Sequence, residues 1–373
     1  MKNSVTIQIG NDSKPERLMS LDVLRGFDMF WIIGGEVFFR EFINWSGCPW
    51  MTAHLLPQLH HADWHGFRAY DLIFPLFLFI AGVALPYVFE KLQKKNVAKR
   101  DVVKKILKRA FFLVVLGLIY NGLLRFNFAS LRIPSVLGLI GLAYGLGALI
   151  VLNFSMKRQI AIALMFLVGY YGLMCLVPGT DLSKSGNVAS YVDRFFLSGH
   201  LYKKTWDPEG ILFMVPASVL VIMGALTGKF LKKTDFNEYK KCGLLALIGV
   251  GLLIVAILWS NLFPINKKIW SSSFITLTGG IAALLMSFFY LVVDVWKIKK
   301  LFFPFVLIGS NSILIYFMAH KLVNFKYTSN FLFSGVISLF PISLSAMLNV
   351  FFVIVTEVLL LWFLYRKKIF LKV

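Results

Sequence analysis

The chain has 373 residues, of which 58% are hydrophobic and only 15% are charged, whereas a soluble domain has about 25% charged residues. A mean hydropathy of +0.75 excludes an ordinary water-exposed surface, so the excess apolar residues must face lipid. The formal net charge of +21 would favour nucleic-acid binding in a soluble protein. Here the basic residues lie in short loops between apolar runs, and we expect no nucleic-acid partner.

A helix needs about 20 apolar residues to cross a bilayer. Ten segments meet that length: 19–39, 71–90, 107–124, 133–152, 159–177, 211–230, 242–263, 272–295, 302–320 and 344–365. They predict an all-α, polytopic membrane bundle of about ten transmembrane helices. We treat residues 1–373 as one domain, with an N-terminal segment at 1–17 and outer-face loops at 40–70 and 178–210. The apolar stretch 331–340 is too short to cross, which predicts a re-entrant or interfacial segment.

The distribution of basic residues predicts the orientation of the bundle. An even number of crossings puts both termini on the same side, and most of the 39 Lys and Arg residues fall on that side. The loop 91–109 is the most basic of these segments. Short loops that are rich in Lys and Arg stay in the cytoplasm, so we expect both termini to be cytoplasmic.

The first predicted helix carries three charged residues within two turns. Asp22, Arg25 and Asp28 follow i, i+3, i+6 spacing, which places them along one side of a helix near its cytoplasmic end. Each charge at the centre of a membrane helix costs about 2.5–3.5 kcal/mol. One interpretation is an interfacial ion pair between Asp22 and Arg25 that fixes helix packing. The other is an anion or cofactor site in which Arg25 holds a phosphate or a pantetheine carbonyl and Asp22 orients it.

A second polar group precedes the second predicted helix. His60, His61, Asp63, His65 and Asp71 lie within twelve positions of one another. A histidine with a pKa near 6.5 can take a proton from an amine or a hydroxyl, and a nearby carboxylate can orient its ring. Interfacial histidines and a helix N-cap at Asp71 are the structural alternatives. A zinc site needs more ligands than this spacing brings together.

Two further groups are open to two interpretations each. In Asp207-Pro208-Glu209-Gly210, Pro208 suits the first turn of a helix, with Asp207 as its cap and Glu209 favoured by the helix dipole. Alternatively, one of the two carboxylates binds a sugar hydroxyl or an ammonium group. Asn311 lies midway along a predicted helix, where a buried amide needs a partner. That partner is either a neighbouring helix or a substrate.

Six stretches, in this order, resemble the heparan-α-glucosaminide N-acetyltransferase family, including its bacterial members. They are Arg17-x-x-Ser-Leu-Asp-Val-Leu-Arg-Gly, His61-Ala-Asp-Trp-His-Gly with Asp71-Leu-Ile-Phe-Pro, Arg132-Ile-Pro-Ser-Val-Leu, Asp207-Pro-Glu-Gly, Pro264-Ile-Asn-Lys-Lys-Ile-Trp, and Asn311-Ser-Ile-Leu-Ile-Tyr. The first alone is weak, because a wider group of membrane acyltransferases shares it. The ordered set covers most of the chain and is far more specific.

The resemblance implies transfer of an acetyl group from cytoplasmic acetyl-CoA to the amine of glucosamine or a terminal glucosaminide on the outer side. It implies a multi-pass protein of the bacterial inner membrane and no metal. The family's active-site histidine matches His61, which stands three residues before a Trp. The candidate substrate-binding residues are then Asp63, Asp71, Asp207, Glu209 and Asn311, and the candidate donor-binding residues are Arg17, Asp22 and Arg25.

One position departs from the family pattern. The family often continues its Arg-Ile-Pro motif to an arginine, and Leu139 stands at that place here, which weakens the case for ordinary acetyl-CoA use. Two other functions therefore stay open: an amino-sugar permease without acyl transfer, and a glycan O-acyltransferase. A homodimer is left open as well, since the small residues Gly138, Gly141 and Gly145 fit contacts within one chain or between two.

Overall fold

A computed structural model describes residues 18–371, except for the side chain of His320. The described residues form helices and loops and contain no β-strand, which confirms the predicted all-α class. The α-helices are α1 (Met19–Phe30), α2 (Glu36–Ser46), α3 (Pro49–His54), α4 (Ile73–Lys94), α5 (Lys99–Tyr120), α6 (Val136–Asn153), α7 (Met156–Leu176), α8 (Val188–Leu197), α9 (Met214–Leu231), α10 (Glu238–Trp259), α11 (Ser272–Phe289), α12 (Phe303–Ser310), α13 (Ser312–Phe317), α14 (Phe325–Ile337) and α15 (Ser345–Arg366).

Shorter helical turns extend or interrupt these helices. Three of them are π-helices, at Trp31–Gly35, Tyr290–Val295 and Met318–Leu322. The 3₁₀-helices are Leu56–Leu59, Ala69–Leu72, Leu123–Arg125, Phe128–Ser130, Ile211–Phe213 and Ile342–Leu344. Several continue directly into a long helix, so that Ala69–Leu72 and α4 form one continuous segment.

Seven helical segments of the described chain are long and apolar enough to cross a membrane by length and composition. They are Ala69–Lys94, Val136–Asn153, Met156–Leu176, Ile211–Leu231, Glu238–Trp259, Ser272–Val295 and Ile342–Arg366. Each overlaps one of the segments predicted from the sequence. The protein is therefore a multi-pass membrane protein.

The other three predicted segments are helical but not purely apolar. The first is an interrupted helix in which α1, a π-turn and α2 follow without a loop, and Gly34 in the turn has a φ of 148°. The second is α5, which begins within the basic segment. The third, predicted as 302–320, is broken at Asn311 between α12 and α13, where φ is −133° and ψ is 38°. The total of ten crossings and the side of the termini remain predictions.

The stretch 331–340 is largely helical, because most of it belongs to α14, which has 13 residues. The described helix is too short to span the hydrocarbon, in keeping with the predicted interfacial or re-entrant segment. It packs against the last long helix, α15.

The helices pack mainly as neighbouring pairs: α4 with α9, α10 with α11, α5 with α6 and α1 with α12. The largest core lies among α4, α5, α6, α7 and α9. A second core joins α1 to α4, α10 and α11. The interrupted first helix is thereby held inside the bundle despite its charges.

The two ends of the bundle differ in chemistry. At one end, the backbone N–H of Ser20 donates to Asp294 over 3.0 Å, and Lys232 at the end of α9 pairs with Glu90 near the end of α4. We call this the lysine end, because the basic loops meet there. The loops at the opposite end carry His61, and we call it the histidine end.

The loops of the histidine end are folded against one another. The indole N–H of Trp64 donates to the carbonyl of Leu182 over 2.8 Å, which joins the two long loops predicted at 40–70 and 178–210. The N–H of Gly66 donates to the carbonyl of Ile265 over 2.7 Å. Side chains from three distant parts of the sequence are thus brought together there.

Two glycines allow backbone contact between α1 and α12. A Cβ at Gly26 would lie 1.7 Å from the carbonyl oxygen of Phe305, and one at Gly309 would lie 2.1 Å from that of Asp22. Neither position has room for a methyl group. The helix that carries Asp22, Arg25 and Asp28 is therefore fixed in register against α12.

We expect Gly26→Val to destabilise the bundle by about 2–3 kcal/mol, because overpacking forces the two helices apart. Thermal unfolding in detergent, followed by circular dichroism, measures the loss. Gly251→Ala is the control, since a Cβ at Gly251 meets nothing within 4 Å. Equal stability of the two variants would contradict the close contact.

Candidate functional site

His61 and Asp71 form the centre of the histidine end. Nδ1 of His61 lies 2.8 Å from Oδ1 of Asp71. The second carboxylate oxygen, Oδ2, accepts the N–H groups of Ala62 at 3.2 Å and Arg68 at 3.1 Å. The carboxylate is fully buried, while 40% of the histidine side chain is exposed. The buried carboxylate of Asp71 thus holds the partly exposed imidazole of His61 in a fixed orientation.

The position of Asp71 corrects one structural alternative. Asp71 is not the N-cap of its helix: Arg68 holds that place, and Asp71 is the third residue of the 3₁₀-helix Ala69–Leu72. Its Oδ2 still satisfies the N–H of Arg68. One oxygen therefore serves the start of the helix and the other contacts His61.

Lys267 joins this pair from the loop after α10. Its Nζ lies 3.1 Å from Nδ1 and 3.4 Å from Nε2 of His61, and 3.6 Å from Oδ1 of Asp71. Being nearly equidistant from the two ring nitrogens, the ammonium lies beside the imidazole as a whole. Burial lowers the pKa of Lys267 to about 8, against the attraction of the Asp71 charge.

The loop that presents Lys267 is built around the buried amide of Asn266. Its Oδ1 accepts the N–H groups of Lys268 at 2.7 Å and Ile269 at 3.3 Å. Its amide nitrogen lies 3.3 Å from Nδ1 of His65. Asn266 thus shapes the turn and also joins it to the loop that carries His61.

The surroundings of His61 lower its pKa. Burial is the largest cause; the hydrogen bond to Asp71 acts in the opposite direction, and the charge of Lys267 adds to the lowering. The neutral imidazole therefore predominates at pH 7. When Nδ1 donates its proton to Asp71, Nε2 keeps a lone pair and can accept a proton from another group.

A second charged group contains Arg132, Asp207 and Glu209. Nε and Nη2 of Arg132 contact the two oxygens of Asp207 at 2.8 and 2.5 Å, and Nη2 also pairs with Glu209. Asp207 is buried and also accepts the N–H of Tyr202 at 2.8 Å. One guanidinium therefore pairs with two carboxylates in a largely buried place.

The helix start predicted at Asp207-Pro208-Glu209 is wrong. These residues form a turn, and the following 3₁₀-helix begins at Ile211 with Gly210 as its N-cap. Asp207 and Glu209 pair with Arg132 from a distant loop instead of capping a helix. Burial raises the pKa of Glu209 against the attraction of Arg132, to about 7.

The two charged groups are neighbours. The indole N–H of Trp270 donates to the carbonyl of Pro208 over 3.1 Å, so the turn that presents Lys267 also contacts the turn that presents Glu209. The charge of Glu209 acts on the pKa of Lys267. Tyr70 completes one side, with its ring centroid 4.9 Å from that of His61.

The other predicted residues lie elsewhere. Asp63 is exposed and makes no side-chain hydrogen bond within residues 18–371. The side-chain amide of Asn311 forms two hydrogen bonds with the C-terminal segment. It donates to the carbonyl of Ile369 at 2.9 Å and accepts the N–H of Leu371 at 2.9 Å. Leu139 packs in the largest core with only 2% of its surface exposed.

The predicted donor-binding residues belong to the lysine end. Nη1 of Arg25 lies 3.5 Å from Oδ1 of Asp22, so the ion pair predicted from their spacing is present. Asp22 also lines a cavity at that end. Arg17 lies outside the described residues.

Three residues of the histidine end were not assigned to the site from the sequence: Arg132, Asn266 and Lys267. Arg132 opens the Arg-Ile-Pro motif, and the other two belong to Pro264-Ile-Asn-Lys-Lys. The signal that could have found them is their place directly before an apolar segment, on the same predicted face as His61. No group of His, Cys, Asp and Glu among the described residues is arranged to hold a metal ion.

The fold and the site define a class: a multi-pass helical membrane protein with a carboxylate-oriented histidine at one end of the bundle. Comparison with known proteins narrows that class. The chain is 27% identical to heparan-alpha-glucosaminide N-acetyltransferase of Homo sapiens, over 96% of the chain and 60% of that protein. It is 27% identical to the same-named protein of Mus musculus, over 84% of the chain and 55% of that protein. No protein-family model matches the chain.

These matches confirm, at family level, the resemblance drawn from the six motifs. The chain spans somewhat more than half the length of the two relatives.

We expect Lys267→Met to raise the pKa of His61, because the variant removes a positive charge that disfavours the imidazolium. Diethyl pyrocarbonate modifies only the neutral ring, and mass spectrometry of the His61 peptide gives the pH midpoint. That midpoint should move to higher pH. Lys268→Met is the matched control and should move it less, since Lys268 is the weakest of the contributors.

We expect Arg132→Met to destabilise the protein by about 3–5 kcal/mol, because it leaves buried carboxylates without their cation. Adding Glu209→Gln should restore part of the loss, since one of the two charges then disappears. Chemical unfolding in detergent measures both variants, with the exposed Arg125→Met as control. Simple additivity of the two substitutions would show that Arg132 and Glu209 do not stabilise each other.

Proposed function

We propose that the chain is a transmembrane N-acetyltransferase. It moves an acetyl group from acetyl-CoA at the lysine end to the amine of glucosamine, or of a terminal glucosaminide, at the histidine end. One observation carries the proposal: a neutral, carboxylate-oriented His61 lies at one end of the bundle, and lysine-lined cavities lie at the other. The names of the two relatives support the same chemistry.

The lysine end offers a place of suitable charge for the donor. Two cavities of about 420 and 610 Å³ share Leu18 and Tyr87 in their walls. Their lysines outnumber their carboxylates and are Lys91, Lys94, Lys95, Lys232, Lys241, Lys297 and Lys299. Phosphate groups suit such a surface. We assign the nucleotide part of the donor to these cavities and keep Asp22 and Arg25, with Arg17 before them, as its contacts.

The donor supplies an activated thioester, and the residues of the histidine end supply the proton chemistry. The amine nitrogen bonds to the acetyl carbonyl carbon and the amine proton passes to Nε2 of His61. The carbon–sulfur bond then breaks, and the CoA thiolate leaves and takes this proton from His61. Asp71 stabilises the imidazolium that forms in between. Lys267, which stays largely protonated at pH 7, stabilises the oxyanion of the tetrahedral intermediate. In a two-step version, His61 first receives the acetyl group and then passes it on.

The acceptor is assigned to the charged groups around His61. Glu209 and Asp207 accept hydrogen bonds from sugar hydroxyls or from the ammonium group, while Arg132 holds both carboxylates in place. The ring of Tyr70 beside His61 offers an apolar face. Asp63 and Asn311 remain weaker candidates, because Asp63 is exposed and the Asn311 amide is already paired.

The proposed location is the bacterial inner membrane, with the lysine end in the cytoplasm. The basic loops support this orientation by the positive-inside rule. Acetyl-CoA is then met on the side where it is made, and the acceptor on the opposite side.

We expect His61→Ala to lower kcat by about 10²–10⁴-fold, the usual contribution of a general base. His60→Ala is the matched control, because its side chain is the exposed neighbour and belongs to none of the contacts above. The assay follows radiolabelled acetyl transfer from acetyl-CoA to glucosamine by purified protein. Undiminished transfer by His61→Ala would exclude both the direct and the two-step mechanisms.

The same preparation separates the remaining alternatives. Acetyl-protein trapped without acceptor in the wild type, and absent in His61→Ala, would indicate the two-step route. Product from hydroxyl sugars alone would indicate O-acyl transfer. Uptake of glucosamine into proteoliposomes without acetyl-CoA, and without product, would indicate a permease and overturn the proposal.

A further inference from the structure

Asp28 is a buried carboxylate that the proposed chemistry leaves unused. It lies on α1, two turns beyond Asp22, and only 1% of its surface is exposed. Neither carboxylate oxygen has a hydrogen-bond partner among residues 18–371. A buried polar group without a partner is unfavourable, and a charged one inside a membrane is more so. Such a group indicates a binding partner that the chain itself does not supply.

The carboxylate faces a cavity of about 210 Å³ between α1, α4, α11 and the loop before α4. The wall is almost entirely apolar. It contains Phe27, Trp31, Leu72, Leu76, Ile281 and Leu285. Tyr70 also lines this cavity, and its ring lies 4.9 Å from that of His61. The cavity therefore reaches from the depth of Asp28 to the immediate neighbour of the catalytic candidate.

The chemistry of the wall restricts the ligand. A sugar would lose hydrogen bonds from several hydroxyls in such a place, which is unfavourable. A chain of methylene groups with an amide matches it: the methylenes contact the apolar wall and the amide contacts Asp28. An amide presents both N–H and C=O, so it can pair with the carboxyl group in either protonation state.

Resting on the acetyl transfer proposed above, we propose that this cavity binds the amide-bearing thiol arm of the donor and that Asp28 hydrogen-bonds an amide of that arm. Asp28 is then the donor-binding residue that positions the thioester next to His61. Its role is distinct from that of Asp22 and Arg25, which lie nearer the lysine end.

The geometry of α1 supports a path for the arm. Asp22, Arg25 and Asp28 lie on one side of the helix at i, i+3 and i+6. Asp22 lines a lysine-end cavity and Asp28 lines the apolar one. At 1.5 Å per residue, the two carboxylates are about 9 Å apart along the axis. A nucleotide held at the lysine end would thus send its arm along this side of α1 towards Tyr70.

The test compares two thiols by isothermal titration calorimetry: pantetheine, which has amides, and mercaptohexanol, which has none. Asp28→Leu should weaken binding of pantetheine about tenfold, the loss expected for one hydrogen bond, and leave mercaptohexanol unchanged. Asp28→Asn should retain most of the affinity, because its amide still pairs. Glu357→Leu is the matched control: it also removes a carboxylate that is 1% exposed, in a different cavity, and should change neither affinity.

Leu285→Trp provides a second variant in case Asp28→Leu does not fold. It fills the cavity from the α11 wall and should weaken binding of both thiols. Equal affinity of the wild type and Asp28→Leu for pantetheine would overturn the assignment. So would a wild type that binds no pantetheine, or an equal loss for both thiols in Asp28→Leu.

Binding and product formation separate the two proposals. A wild type that binds pantetheine through Asp28 but forms no acetylated sugar would overturn the acetyl transfer and keep the arm site. A wild type that acetylates glucosamine, with Asp28→Leu unchanged in pantetheine affinity, would keep the acetyl transfer and overturn the arm site.

Discussion

The histidine end depends on the carboxylate of Asp71. A buried charge is tolerated only when it is paired and hydrogen-bonded, and this one meets the imidazole of His61, two backbone N–H groups and the nearby ammonium of Lys267. These contacts bring together the loop before α4 and the loop after α10. Because the carboxylate cannot remain buried without them, the demand for partners determines how both loops fold. The orientation of His61 is one of the results of pairing this buried charge.

The interrupted first helix organises charge in a different way. Its charged side places Asp22 at a lysine-end cavity and Asp28 at an apolar one, with Arg25 between them. The helix keeps these groups in the bundle through backbone contact with α12 at Gly26 and Gly309. A helix of this kind fails a simple hydropathy criterion because of its charged side chains, each of which is costly inside a membrane.

Much of this architecture could be predicted from the sequence. Long apolar runs indicate helices that face lipid, so the all-α class and the seven long apolar segments could be predicted. The pairing of His61 with Asp71 could be predicted from the sequence, because the two residues are only ten positions apart in one loop. The partner of Asp207 and Glu209 was not, because Arg132 comes from a loop about 75 residues earlier and local rules instead favoured a helix start at Pro208. The role of Lys267 could not be predicted for the same reason, since hydrophobic periodicity carries no information on contacts between distant loops.

The break at Asn311 has a mechanical consequence. Its amide holds the backbone of Ile369 on one side and of Leu371 on the other, and α12 packs against both α1 and α15. The end of α12 is therefore held by hydrogen bonds to the segment that follows α15. Because α12 also packs against α1, the carboxylates of Asp22 and Asp28 are connected to the C-terminal segment through one short helix.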